Sequence, residues 1–232
     1  MPGGKEKRLE EKIRELILDN GGEIVGFSDI RGYEVAGYEA LDTGIAYGVR
    51  LSEAIVSQID RGPTHEYFHH YRTVNRLIDD IGLKVAVLLQ RSGYRALPVA
   101  ASQSINSKAA GAYEGLFSHR MAATLGGLGW IGKNNSLIHP VFGPGLRLGT
   151  VLTNAPLKVA QPITASQCGD CSLCVDACPA LALSGMDWEA GIPREMILDA
   201  RACSEHMKHH YQHIGRGAVC GICLAACPYG RT

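Results

Sequence analysis

The sequence predicts an α+β protein built in two parts, and three observations predict it. Helical stripes and short apolar runs alternate irregularly through roughly the first 155 residues. All eight cysteines fall between Cys168 and Cys227, and none precedes Gln167. A short stretch marked by two prolines, Asn154–Pro162, separates the two compositions. The expected division is residues 1–157 for an α+β domain and residues 158–232 for a cysteine-bearing domain.

Each element rests on its own pattern. Lys5–Asn20 reads as a helix because Leu9, Ile13, Leu16 and Ile17 recur on one face, and Gly21-Gly22 stops it. Ile24–Phe27 and Ile45–Leu51 read as strands, with the glycine- and tyrosine-rich stretch Asp29–Asp42 as loop between them. Ser52 is placed to cap a short helix running to Asp60. Gly62-Pro63-Thr64 opens a longer helix with the stripe Tyr67, Tyr71, Val74, Ile78, Ile81, Val85, Leu88 and Leu89. Val85–Leu89 alone would suit a strand, but the stripe and the stop at Gly93 favour helix. Tyr94–Val99 is a strand, and Ala100–Ala112, small and polar, is a loop near a site. Phe117, Met121 and Leu125 mark another helix, followed by the glycine-rich turn Gly126–Lys133. Leu137–His139 and Leu146–Thr153 read as strands. The pattern leaves the strand order open.

The cysteine spacing carries the chemistry. Cys168, Cys171, Cys174 and Cys178-Pro179 follow C-x2-C-x2-C-x3-C-P, the bacterial run for cubane iron–sulfur clusters, whose fourth cysteine usually serves a second cluster. Two-residue gaps let three thiolates wrap three corners of a cubane from one loop, while the fourth corner needs a distant segment. The partner run is Cys220, Cys223 and Cys227-Pro228, one cysteine short, and Cys203 fills the gap. The crossed pattern predicts Cys168, Cys171, Cys174 and Cys227 for one [4Fe–4S] cluster and Cys178, Cys203, Cys220 and Cys223 for the other. Zinc also takes C-x2-C pairs, but three cysteines at such gaps before Cys-Pro are not its habit.

Composition narrows the class. Hydrophobic residues at 46% and charged residues at 20% are ordinary for a globular chain. Lys+Arg and Asp+Glu are both 23, so no global basic excess points to nucleic acid. The N-terminus lacks the apolar core of a secretory signal, and no apolar run approaches the roughly 18 residues of a membrane span. A cytoplasmic protein is expected, where cysteines serve as metal ligands more often than as disulfides.

Other motifs carry less. Gly127, Gly129 and Gly132 match G-x-G-x-x-G, but a helix precedes them and no βαβ context follows, so close backbone approach to the cluster domain or to a flat cofactor is the better reading. His65-Glu66-Tyr67-Phe68-His69 matches H-E-x-x-H at an exposed helix start, where an amphipathic first turn explains it. His206, His209, His210 and His213 read as a solvated helix between Cys203 and Cys220.

Four stretches together resemble the epoxyqueuosine reductase family: Gly127–Asn134, Cys168–Pro179, Asp199–Cys203 and Cys220–Pro228. Weaker similarity surrounds Ser92–Ala96. The resemblance implies a nitroreductase-like N-terminal domain that binds cobalamin, akin to that of reductive dehalogenases, and a ferredoxin-like C-terminal domain with two [4Fe–4S] clusters. Cobalamin is favoured over flavin. Arg120, Trp130 and Lys133 are the implied cofactor-binding residues, with His119 flanking them. Family members reduce the epoxide of a modified tRNA base and carry an aspartate acid where this chain has Tyr113, with Glu114 adjacent; these two become the candidate proton donors. Many members continue into helical repeats that help hold tRNA, whereas this sequence stops at Thr232 with zero net charge, which makes tRNA a doubtful partner.

The expected protein is therefore an iron–sulfur oxidoreductase fed by a ferredoxin- or flavodoxin-type donor. Its substrate would be a small molecule or a corrinoid partner. The alternative is a non-catalytic electron-transfer module that reduces such a partner.

Overall fold

The computed structural model describes residues 3–105, 113–216 and 219–230. Six strands and seven α-helices are described within them: α1 (Gly3–Asp19), β1 (Ile24–Asp29), β2 (Thr43–Arg50), α2 (Glu53–Val56), α3 (His65–Arg91), β3 (Ala96–Val99), α4 (His119–Leu125), β4 (Trp130–Ile131), β5 (Leu137–Ile138), β6 (Leu146–Thr153), α5 (Leu173–Asp176), α6 (Ala200–Tyr211) and α7 (Ile222–Ala225). A 3-10 turn covers Arg194–Met196.

The main sheet is antiparallel throughout, in the order β1-β2-β6-β3. Helices cover both of its faces, which explains why β2 reads as small and apolar residues with little alternation: seven of its eight positions are buried. On one face, Phe27, Ile45, Tyr47, Val49 and Val151 pack with Leu9, Ile13 and Ile17 of α1 and Val74, Ile78, Ile81, Val85 and Leu89 of α3. On the other, Ala46, Leu148 and Leu152 pack with Ala122 and Ala123 of α4. Each fully buried large side chain in these layers contributes about 1.5–3 kcal/mol. Tyr47 is held in place by donating its hydroxyl to the carbonyl of Ile78 at 2.7 Å. Gly149 makes room for it, because a Cβ there would lie 2.3 Å from the Tyr47 ring.

The helix stops follow local chemistry. Gly21 adopts φ +95° after α1, and Gly22 N–H donates to Ile17 O at 2.9 Å. Thr64 caps α3 by accepting from Tyr67 N–H. Ser52 stands at the N-cap of α2 without a side-chain cap bond, and that helix ends at Val56 rather than at Asp60. His65, Glu66 and His69 lie exposed on the first turn and a half of α3. The residues around Val85–Leu89 are helical, inside α3. Of the predicted loop Ala100–Ala112, residues 106–112 lie outside the described residues.

The glycine-rich turn is corrected in one respect: it contains a strand. β4 pairs with β5 in a two-stranded ribbon, Trp130 opposite Ile138 and Ile131 opposite Leu137. The close approach required of Gly129 and Gly132 is to this ribbon itself. A Cβ on Gly129 would lie 2.2 Å from Ile138 O, and one on Gly132 would lie 2.7 Å from the Ile138 side chain.

The proline-marked stretch after β6 is packed against the preceding residues. Ala155 and Leu157 are buried in the α1/α3 core, and Ala160 N–H donates to Phe27 O at 2.9 Å. The last cysteine run docks on that same core through Ile222 and Ala225 of α7. Gly221 allows it, since a Cβ there would lie 2.9 Å from both Ile59 and Tyr67. The first run docks instead beside the ribbon, where Trp130 and Ile138 cluster with Trp188, Ile197 and Cys227.

Candidate functional site

The eight cysteines gather as two groups. Cys168, Cys171, Cys174 and Cys227 line one small cavity, together with Lys133, Asn134 and Ile138 of the ribbon. In the second group, Cys203 of α6 lies close enough to Cys220 and Cys178, and Cys223 to Cys220, Cys203 and Cys178, for each thiol to feel the others. Cys223 also feels Cys174, so the groups are neighbours. The four-residue helices α5 and α7 place them: each lets a cysteine of its run face inward, Cys174 and Cys223, while its chain turns away at Pro179 or Pro228.

The donor set fits a group that replaces protons. Burial, with Cys227, Cys168 and Cys171 adding to it, pushes the Cys174 thiol up to about 11. Burial likewise pushes Cys203 up to about 11 and Cys223 up to about 12. Such thiols stay protonated near neutrality unless metal displaces the proton. Among the described residues, no three His, Cys, Asp or Glu side chains are arranged to hold a single metal ion. Two buried nitrogens near these groups lack partners among the described residues: Trp130 Nε1, packed in the cluster that holds Cys227, and His206 Nε2, one turn along α6 from Cys203. Sulfur acceptors at the cysteines would suit such donors.

Adjacent ribbon residues reach both cysteine runs. Lys133 Nζ donates to Gly169 O at 2.6 Å and lies 3.8 Å from Asp187, and Asn134 Nδ2 donates to Cys223 O at 3.3 Å. Tyr229 Oη closes the other side by donating to Gln167 O at 2.7 Å, with its ring edge-on to Trp130.

A second, larger cavity of about 720 Å³ lies on the far side of the ribbon turn. That is within the span of about 300–1,000 Å³ usual for ligand sites. Tyr113, Glu114, His119 and Arg120 all line it. Tyr113 takes φ +81°, costly for a non-glycine residue, and its carbonyl accepts from Arg194 Nη1 at 2.9 Å. Its ring faces Lys208 of α6 at 5.9 Å. The Glu114 side chain is exposed on the cavity wall. His119 is fully engaged: Nδ1 meets the Thr150 hydroxyl at 2.9 Å, and Nε2 meets Ala100 O at 3.1 Å. Burial lowers its pKa, so the ring is a neutral fixture of the wall.

The structure separates the three residues implied for cofactor binding. Arg120 faces the large cavity, whereas Lys133 lines the cysteine cavity and Trp130 packs beside Cys227. It also adds two cavity arginines that the sequence reading missed, Arg147 on β6 and Arg194 in the 3-10 turn. Arg147 had a signal: it is the one charged residue in the strand Leu146–Thr153. Arg194 had none.

The two cavities share a wall. Residues 133, 134 and 138 face the cysteines, and residues 135–137 face the large cavity.

Comparison with known proteins agrees with this layout. Residues 167–230 match a family model described as a 4Fe-4S double cluster binding domain. An epoxyqueuosine reductase of Synechococcus sp. (strain CC9605) is 38% identical over 114 residues, 44% of this chain and 32% of that protein. One from Listeria monocytogenes is 29% identical over 196 residues, 81% of this chain and 47% of that protein. The chain thus spans between about a third and a half of the length of these relatives. Among solved structures, a reductive dehalogenase used to argue a B12-dependent dehalogenation mechanism superposes with TM-score 0.74 at 19% identity, covering 96% of this chain and 32% of that one. An epoxyqueuosine reductase bound to an epoxyqueuosine-modified tRNA-Tyr stem loop superposes with TM-score 0.57 at 18% identity, covering 97% and 66%. No described helix is long and apolar enough to cross a membrane. The chain has the mixed helix-and-sheet fold of these reductases, carries a 4Fe-4S double cluster binding domain, and is a relative of the epoxyqueuosine reductases.

Proposed function

We propose that this protein is an iron–sulfur oxidoreductase that passes electrons from two [4Fe–4S] clusters to a cofactor or substrate in the large cavity. The carrying observation is the shared wall: one short ribbon touches the cysteine cavity with residues 133, 134 and 138 and the large cavity with residues 135–137. A cavity so placed favours this reading over an electron-transfer module without a site of its own. The proposed ligands are Cys168, Cys171, Cys174 and Cys227 for one cluster, and Cys178, Cys203, Cys220 and Cys223 for the other, in a domain spanning 158–232 beside an N-terminal domain of 1–157. Cobalamin is the preferred occupant of the large cavity, supported by the fold shared with a dehalogenase discussed in terms of B12.

When bound, the clusters supply single electrons and cobalamin supplies a strongly reducing cobalt. The chain's residues do the rest. The cysteine loops bury their thiolates against Trp130, Ile197 and Tyr67, which limits water near them. Lys133 and Asn134 fix the ribbon to both runs. His119, neutral and doubly bonded, holds the start of α4 to β6 and to the backbone of Ala100. Glu114, exposed in the cavity, is the preferred proton donor, and Tyr113 is the second candidate. The substrate class stays with the relatives: epoxyqueuosine in a tRNA stem loop is held by one of them. For this chain, the balanced charge that made tRNA doubtful still applies, so a smaller substrate of that type is the preferred reading.

Anaerobic reconstitution with iron and sulfide, followed by cobalamin titration, tests the proposal. Expected are about eight irons per chain and a stoichiometric shift in the visible spectrum. Protein that holds its iron but binds neither cobalamin nor flavin would sink it.

A further inference from the structure

Three arginines from three separate elements line the large cavity: Arg120 on α4, Arg147 on β6 and Arg194 in the 3-10 turn. Their present partners leave most of that charge uncompensated. Arg120 Nη1 donates to the carbonyl of Asn135, a neutral acceptor. Arg147 Nε donates to Asn75 Oδ1 at 2.9 Å, and its guanidinium lies 4.2 Å from the centre of the Tyr71 ring. Among the described residues, neither of these two arginines makes an ion pair. Every Asp and Glu side chain of this sequence lies within the described segments, and none of them pairs with Arg120 or Arg147 there. Only Arg194 is shared, at 2.9 Å, with a carboxylate, that of Glu195.

The cluster is strained electrostatically. Burial pushes the Arg120 pKa down to about 10, and the charges of Arg194 and Arg147 add to the effect. Partly buried like charges disfavour one another, and an arriving counter-charge relieves that cost. On the same wall, the side-chain amide nitrogen of Asn135 has no partner among the described residues. The neutral His119 beside them adds no charge of its own.

We infer that Arg120, Arg147 and Arg194 form the binding site for a phosphate group carried by the molecule that occupies the large cavity. The inference rests on the reading of that cavity as a cofactor or substrate site, and it narrows the chemistry of the occupant. Planar guanidinium forks match phosphate oxygens in bidentate geometry. Three such forks, less the share taken by Glu195, suit the several acceptor oxygens of a phosphate group better than the two of a carboxylate. The phosphate has two sources: the phosphodiester in the nucleotide tail of a cobalamin-type cofactor, or a phosphate ester on the substrate.

Calorimetric titration of the reconstituted full chain with inorganic phosphate, in chloride buffer free of other oxyanions, tests the site. Saturable binding is expected. It should weaken about tenfold or more in Arg120→Gln and in Arg194→Gln, with iron content unchanged. Arg194 lies in a surface turn, so its variant avoids the folding risk that Arg120 carries. No saturable phosphate binding, or wild-type affinity in both variants, would overturn the site. Displacement of phosphate by cobalamin would assign it to the cofactor's phosphodiester, and simultaneous binding would assign it to the substrate; both keep the site. Phosphate binding without cobalamin binding would refute the cobalamin reading alone, and the reverse would refute the phosphate site alone.

Discussion

Lys133 Nζ donates a 2.6 Å hydrogen bond to the carbonyl of Gly169, joining the β4–β5 ribbon to the first cysteine loop across 36 residues of chain. The lysine is only 8% exposed, and its carboxylate neighbour Asp187 stands off at 3.8 Å. Replacing it by methionine keeps the bulk and removes the charge-assisted bond. Lys133→Met should cost about 1.5–3 kcal/mol, read as a shift in denaturant midpoint at constant slope. Loss of a cation beside the proposed cluster should also lower its reduction potential, measured by redox titration followed by electron paramagnetic resonance.

The proposed ligand sets make a sharper claim about iron. Cys203→Ala and Cys227→Ala should each remove one cluster and leave the other, cutting iron from about eight to about four per chain. An unchanged count in either variant would refute that ligand assignment.

Gly149 faces the ring of Tyr47 inside the α3-covered layer of the sheet. The ring cannot swing aside without giving up its bond to Ile78 O. Gly149→Ala should therefore destabilise by about 1–3 kcal/mol, seen as a lower Tm. Adding Tyr47→Phe should recover part of the loss, since the hydroxyl is among the atoms the new Cβ would meet.

His119 links pH to stability. Burial lowers its pKa from the ordinary 6.5, so the unfolded chain takes up a proton at a pH where the folded chain does not. Stability from this residue is complete above 6.5 and is lost progressively as pH falls from 6.5 toward the lowered value. His70, His139 and His206 shift in the same direction, so the comparison has to be differential. The difference in Tm between wild type and His119→Gln should shrink as the pH is taken from 7.5 to 5.5.

Glu114 is the proton donor proposed above. Glu114→Gln should slow reductive turnover by about 10²–10⁴-fold, while Tyr113→Phe should have a smaller effect, both measured in single turnovers with a chemical reductant. The opposite order would exchange their roles.

Much of this architecture is written locally in the chain. The stripe from Tyr67 to Leu89 becomes α3, and the strand patterns at Ile24, Ile45, Tyr94 and Leu146 become the sheet. The gathering of Cys168, Cys171, Cys174 and Cys227 about one cavity follows from their spacing in two runs. What local pattern could not show depends on distant partners. The sheet order places β6 between β2 and β3, a long-range pairing with no local signal. β4 is two residues long and exists because Gly129 lets Ile138 close on it. Trp130 and Lys133, close to Arg120 in sequence, face the cysteines because the ribbon turns between the two cavities. The arginine cluster draws on residues 120, 147 and 194, which only the tertiary fold unites.

The crossed arrangement of the cysteines also bears on how the protein is made and unmade. With the ligands proposed here, neither set is complete within a single run, so one cluster can be completed only after residue 223 has left the ribosome and the other only after residue 227. The same interleaving would act as a clasp: a chain cut by a protease between residues 179 and 202 would remain in one piece until a chelator removed the iron.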